Sequence, residues 1–175
     1  VLSDPVRAAF ARGLLEHVLE ILRATPEVAQ ILVLTEDDEV EALARERGAH
    51  VLRDRPGLGL AGIVDGGLAK AAELGADAAL VCMADLPRVS VEDFREVARN
   101  LEQYSVLVAP DAVEAGTNLL ALKPATLFAS CFGRADSFER HLARAEEHGQ
   151  RVLVLRSAGL CFDVDGPEDL EQLEP

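Results

Sequence analysis

The sequence predicts a three-layer α/β sandwich around a mostly parallel sheet. Three observations carry this. Short continuous apolar runs, such as Ile31-Leu32-Val33-Leu34 and Val106-Leu107-Val108-Ala109, have the length and composition of strands buried on both faces. Such runs alternate with amphipathic stretches about 10–15 residues long, the signature of βαβ units. The 175 residues fit one domain, 1–175, and no repeat or low-complexity linker divides them.

Ser3-Asp4-Pro5 opens the first helix with a capping side chain and an early proline. Phe10, Leu14, Leu15, Val18, Ile21 and Leu22 recur at helical spacing, and Thr25-Pro26 ends the run. A strand follows at 31–34, a helix at 37–47 stopped by Gly48, and a short strand at 50–53. Residues 60–74 are helical up to Gly75. Residues 78–83 form a strand, and Ser90 caps a helix reaching about Gln103. The second half gives strands at 106–109 and 118–122, helices at 126–130 and 136–147, strands at 152–155 and 160–162, and a terminal helix at 167–173.

The formal net charge is −14 and the isoelectric point about 4.6, so the surface repels phosphate backbones and a nucleic-acid partner is not expected. Such a surface suits a protein that offers carboxylates to a divalent metal. Cys82, Cys131 and Cys161 are odd in number and without a CxxC pair. Free thiols in apolar runs indicate a reducing compartment. No signal peptide or membrane-length apolar run is visible, so the expected location is the cytoplasm.

Function is sought at the carboxyl ends of the strands, where ligands of open α/β sheets bind. In "ADLP" (84–87), Asp85 stands where the 78–83 strand empties into such a crevice, although a turn-forming role before Pro87 would also account for it. In "DVDGPEDL" (163–170), Asp163 and Asp165 alternate with Phe162 and Val164, so both carboxylates face one side of an extended chain. Helix capping accounts for Asp165, Glu168 and Asp169, but not for Asp163. Converging strand ends would bring Asp85 and Asp165 together, and Mg2+ bridging them to phosphate oxygens would relieve their repulsion.

"ADLP" with "DVDGPEDL" resembles the metal-binding pair of nucleotidyltransferases with a GT-A-like (nucleotide-diphospho-sugar transferase) fold. Four further segments, "SDPVRAAFARGLLEHVL", "HVLRDRPGLGLAGIV", "APDAVEAGTNLLAL" and "FGRADSFERHLARAEEHG", occur with "DVDGPEDL" in the order found in the CofC/FbiD family. The family consists of 2-phospholactate or phosphoenolpyruvate guanylyltransferases of deazaflavin coenzyme biosynthesis. The resemblance implies that GMP passes from GTP to a small phospho-acid and pyrophosphate leaves. It implies Asp85 and Asp165 as catalytic metal ligands for Mg2+, helped by Asp163. It implies Gly116, Thr117, Asn118, Gly133 and Ser137 as the phospho-acid site. Close backbone approach at the glycines and hydroxyl donors at Thr117 and Ser137 agree with that role. A turn at Gly116 and a helix cap at Asp136 or Ser137 are the plainer readings of the same residues. His141, one turn beyond Ser137, is a second-ranked candidate donor to substrate, since a lone His is more often packed or at the surface, and Arg140 is weaker still.

The resemblance also implies that Gly57, Gly59 and Leu60 border the nucleotide, with Arg7 as a cation near its phosphates. The chain departs from the family at Ala61, where an Asn helps to bind the nucleotide. It departs again by starting after the position of the family's first strand and basic phosphate-binding loop. A gap in the sheet beside the first helix is therefore expected, with poor turnover by the chain as it stands. The competing readings are a non-catalytic domain that binds GTP or a phospho-metabolite, a receiver-like domain phosphorylated at Asp85, and a relative acting on another phosphorylated acceptor.

Overall fold

The structure is a computed structural model that describes residues 4–53 and 57–173. Ser3 as a helix cap, and Arg55 and Pro56 ahead of the glycine loop, lie outside the described residues. In chain order the elements are α1 (Asp4–Ala24), β1 (Leu32–Leu34), α2 (Asp38–Glu46), β2 (His50–Leu52), α3 (Leu60–Glu73), β3 (Ala79–Cys82), α4 (Val91–Asn100), β4 (Val106–Pro110), β5 (Thr117–Leu122), α5 (Ser137–Glu147), β6 (Val152–Val154) and α6 (Pro167–Glu171).

The strands fall into two sheets. β1 pairs with β2 in parallel, and the second sheet has the order β3-β5-β4-β6. β4 and β6 are parallel, whereas β5 runs against both β3 and β4, so β5 alone is reversed. The reversal follows from the linker: the short turn between Pro110 and Thr117 can close a hairpin but is too short for a parallel crossover.

Alternation along β4 and β5 builds the core on both faces of the sheet. Leu107, Ala109, Leu119 and Ala121 face α1 and α4, joining Val18, Leu22, Phe94 and Val97. Val106, Val108, Leu120 and Leu122 face α3 and α5, joining Val64, Leu68, Phe138 and Ala145. Helices on either side of the sheet make the three layers. Helix starts are fixed chemically: the Asp37 carboxylate accepts from the Glu39 and Val40 N–H groups, and Ser90 and Asp93 form a reciprocal capping box.

Between the two sheets lies an apolar cleft of about 1350 Å³, walled by β1 on one side, β3 on the other, and helices α1, α3 and α4. The residues of β1 and β3 are only half-buried, in contrast to the wholly buried β4 and β5. Among the described residues, neither β1 nor β3 has a strand partner on the edge facing this cleft.

Two expected elements are absent. Residues 126–130 form turns and bends after Pro124 rather than a helix. Residues 160–162 form a turn, in which Leu160 and Phe162 are buried by packing rather than by strand pairing. Ser157 holds this turn by accepting from the Leu160 N–H and donating to Asp93.

Candidate active site

Asp85 follows β3 directly, and the Val164 N–H donates to its backbone carbonyl at 3.2 Å. The two acidic segments therefore meet. Asp85 and Asp165 line one cavity of about 470 Å³, together with Arg7, Phe10 and Leu14 of α1 and Leu170 of α6. Asp85 Oδ1 is buried without a hydrogen-bond partner. Burial, and then the neighbouring charges of Asp163 and Asp165, push the Asp85 carboxyl above the usual carboxylate range, against a lowering from backbone N–H. Burial and the charges of Asp163, Asp169 and Asp111 push Asp165 the same way.

The capping explanation for Asp165 fails. Gly166 is the N-cap of α6, and it is Asp169 that accepts from the Asp165 and Gly166 N–H groups, at 3.0 and 2.9 Å. Among the described residues the Asp165 carboxylate accepts no hydrogen bond. A buried, unpartnered oxygen of Asp85 in a cavity shared with Asp165 offers hard-oxygen donors of the kind that fit a divalent cation such as Mg2+. No group of three His, Cys, Asp or Glu side chains among the described residues encloses an ion by itself. Water and phosphate oxygens would have to complete such a shell, as is usual for Mg2+.

Residues outside the acidic segments hold them together. The Arg88 guanidinium lies over the Phe162 ring, 3.9 Å from its centroid, and donates to the Gln172 carbonyl at 2.6 Å. Asp93 receives Ser90 and Ser157 at 2.6 and 2.5 Å. Gly159 is needed there: a Cβ would fall 2.9 Å from the Arg88 carbonyl oxygen. The sequence reading missed Arg88, Asp93 and Ser157 as supports. Only the Ser90-x-x-Asp93 spacing offered a signal, and it pointed to capping.

Thr117 and Asn118 lie at the start of β5, and the Met83 N–H donates to the Asn118 carbonyl. The Asn118 amide donates to the Leu160 carbonyl at 3.1 Å and to Asp163 Oδ1 at 3.2 Å. Both of its amide donors are thus committed to the acidic turn. Asp111 shapes the preceding turn by accepting from the Val113, Ala115 and Gly116 N–H groups. A Cβ at Gly116 would fall 2.7 Å from Asp111 Oδ2, so Gly116 serves this internal approach.

His141 is fully buried, in keeping with the packed position a lone His more often takes. Its Nε2 accepts from the Cys131 N–H at 2.8 Å, its Nδ1 lies 3.0 Å from Thr117 Oγ1, and Ser137 Oγ donates to Thr117 Oγ1 at 3.2 Å. Arg140 pairs with Asp136 on the exposed side of α5. Asp136 is the N-cap of α5 by position but makes no side-chain cap.

Gly133 has φ of +79°, and a Cβ there would meet Leu60 Cβ at 3.1 Å. The loop carrying Gly133 thus seats against the start of α3, where Gly59 is the N-cap and Gly57 has φ of +88°. Ser130 adds a bond from its N–H to Asp65 and a long hydroxyl contact to the Ala61 carbonyl. A chain of contacts therefore runs from Asp163 through Asn118, Thr117 and His141 to the 130–133 loop and Leu60, and the Val164 N–H ties Asp85 to its start. Arg7 joins it through the cavity beside Asp85.

An α/β sandwich with one carboxylate after β3 and others in the turn before α6, near a segment rich in hydroxyls and glycines, fits the class of nucleotidyltransferases. Solved structures share the fold. A 4-diphosphocytidyl-2C-methyl-D-erythritol synthase superposes with a TM-score of 0.69 at 17% identity, covering 91% of this chain and 88% of that one. A crystal structure from Desulfovibrio desulfuricans, assigned provisionally as a nucleotide-diphospho-sugar transferase, gives 0.79 at 20% identity over 95% and 73%. The chain belongs to the family described as guanylyl transferase CofC like, which matches residues 1–174. Curated relatives include the phosphoenolpyruvate guanylyltransferase of Sphaerobacter thermophilus, 37% identical over 98% of this chain and 82% of the relative. The 3-phospho-D-glycerate guanylyltransferase of Phenylobacterium zucineum and the 2-phospho-L-lactate guanylyltransferase of Methanopyrus kandleri are each 32% identical, over 97% of this chain and 78% of theirs. No helix among the described residues is long and apolar enough to cross a membrane.

Proposed function

We propose that the protein is a guanylyltransferase of deazaflavin coenzyme biosynthesis that moves GMP from GTP to a small phospho-carboxylic acid. Phosphoenolpyruvate, 2-phospholactate and 3-phosphoglycerate are the acceptors to test, since relatives are named for all three. The observation that carries this reading is the cavity shared by Asp85 and Asp165, linked through the Asp163–Asn118 bond to the Thr117–Ser137 hydroxyl pair.

An oxygen of the acceptor phosphate attacks the α-phosphorus of GTP. The bond to the β-phosphate oxygen breaks, pyrophosphate leaves, and a new diphosphate links GMP to the acid. Asp85 and Asp165 would hold Mg2+, with Asp163 assisting. When bound, the ion would supply charge neutralisation at the α-phosphate and the departing pyrophosphate. Thr117 and Ser137 hydroxyls bind the acceptor's anionic oxygens, and Gly116 and Gly133 shape that loop. Gly57, Gly59 and Leu60 border the nucleotide, and Arg7 at the cavity mouth lies on the side of its phosphates. Alignment of two polyanions is then most of the catalysis.

The cleft between β1 and β3 receives a further strand of the same polypeptide, ahead of α1. Its walls are apolar and, among the described residues, both facing edges are unpaired. The early turns of α1 lie beside Asp85 and Asp165, so a chain entering α1 arrives from the carboxyl ends of the strands. A polypeptide extended by such a strand should turn over faster and melt higher; equal rates and equal Tm would refute the insertion.

Incubation with radiolabelled GTP, Mg2+ and each acid tests the function. The expected result is a guanylylated diphosphate with stoichiometric pyrophosphate. Thermal stabilisation by GTP or an acid, with no product from the extended polypeptide, would instead identify a non-catalytic binding domain.

A further inference from the structure

The buried cluster Cys131–His141–Thr117–Ser137 has a fixed direction of hydrogen bonding. The Cys131 backbone N–H can only donate, so His141 Nε2 must be the accepting, unprotonated nitrogen. The neutral ring then carries its one N–H at Nδ1, 3.0 Å from Thr117 Oγ1, and Thr117 must accept it. Burial lowers the ring's pKa to about 4, which keeps it neutral at physiological pH. Phe132 packs its ring at 4.9 Å from the imidazole, near edge-on, and fixes its plane.

Three protons now serve two internal bonds. His141 Nδ1–H fills one Thr117 lone pair, and the Thr117–Ser137 contact uses one hydroxyl proton, drawn from Ser137 in the observed geometry. Whichever hydroxyl donates within that pair, the other keeps a proton directed out of the cluster. A leftover donor of set direction suits an anionic oxygen and not a second donor.

We propose that His141, although it touches no substrate, is the positioning residue that orients the Thr117–Ser137 hydroxyls as donors to the phosphate or carboxylate of the phospho-acid. This rests on the reading of that loop as the acceptor site. Through Cys131 the same ring also anchors the loop that carries Gly133, so one side chain sets both the donor direction and the loop position.

Two substitutions separate these duties. In His141→Asn the amide nitrogen replaces Nδ1, keeping the donor to Thr117 and losing the acceptor for Cys131. In His141→Gln the terminal group reaches the Nε2 position, keeping that acceptor and losing the donor. The Gln variant should raise KM for the phospho-acid about tenfold or more while KM for GTP stays within about twofold. The Asn variant should recover most of the lost affinity. Long-range 15N–1H spectra of wild-type protein at neutral pH should show a protonated Nδ1 and a bare Nε2. Equal shifts of both KM values in both variants, or a ring protonated at Nε2, would overturn the proposal. Absence of any adduct from wild type would instead count against the guanylyltransferase reading. The spectrum, and phospho-acid stabilisation retained in Asn but lost in Gln, would then decide the role of His141.

Discussion

Replacing Asp85 by Asn should stabilise the metal-free protein while removing its activity. Asp85 Oδ1 is buried without a partner, and the carboxylates of Asp163 and Asp165 repel its charge. An unsatisfied buried polar atom costs about 1–3 kcal/mol, and more when charged. Asn is nearly isosteric, keeps the orphan oxygen, and removes the charge. Relief of about 1 kcal/mol corresponds to a Tm rise of roughly 2–4 °C for a chain of this size. The pH dependence follows from the raised carboxyl. Between its unfolded and folded pKa values the native state binds more protons, so wild-type stability falls as pH rises through that window. The advantage of Asn should be full above the folded pKa and vanish in acid, where Asp85 is protonated. Mg2+ should stabilise wild type and not the variant, narrowing the gap. Differential scanning fluorimetry across pH, with and without Mg2+, reads all of this. An Asn variant that melts below wild type at neutral pH without metal, or equal Mg2+ stabilisation of both proteins, would refute the reasoning.

Other substitutions probe the supports. Gly133→Ala forces a left-handed conformation on a residue with a Cβ and presses on Leu60; it should cost about 1–2 kcal/mol, lower Tm by roughly 2–8 °C, and raise KM for the phospho-acid. Asp93→Ala loses the Ser90 box and the Ser157 bond; a stability loss of about 1–3 kcal/mol in urea titration is expected, with weaker Mg2+ dependence because the acidic turn loosens. Ala61→Asn adds a hydrogen-bonding side chain at the start of α3, and should tighten GTP binding by about 2- to 13-fold in calorimetry. An unchanged GTP affinity would remove Ala61 from the nucleotide edge.

The layered architecture was legible because β4 and β5 are uninterrupted apolar runs and the helices carry clear caps at Asp37 and Ser90. The reversal of β5 escaped an approach based on alternating strands and helices, although the short linker from Pro110 to Thr117 held the signal. Residues 160–162 read as a strand because Leu160 and Phe162 are apolar. Their burial comes from packing under Arg88 and α4, which local pattern cannot distinguish from strand pairing. Asp85 was legible from its position after the β3 run, whereas the strand expected ahead of Asp163 and Asp165 is a turn. The release of Asp165 from capping was not legible, since Asp165 and Asp169 are equivalent as sequence and only the turn geometry selects Asp169. His141 and Asn118 are both turned inward to hold neighbours, which no local pattern in the sequence specifies. Only tertiary contacts separated by 10 to 45 residues reveal that role.

The central claim is that carboxylates from two distant segments serve one cation-dependent transfer. Its most direct test is the rate of labelled GMP transfer against Mg2+ concentration in wild type, Asp85→Asn and Asp165→Asn, each verified as folded. Transfer that requires Mg2+ in wild type and is lost in both variants is the predicted result. Full activity in either variant, or wild-type transfer undiminished in excess chelator, would contradict it.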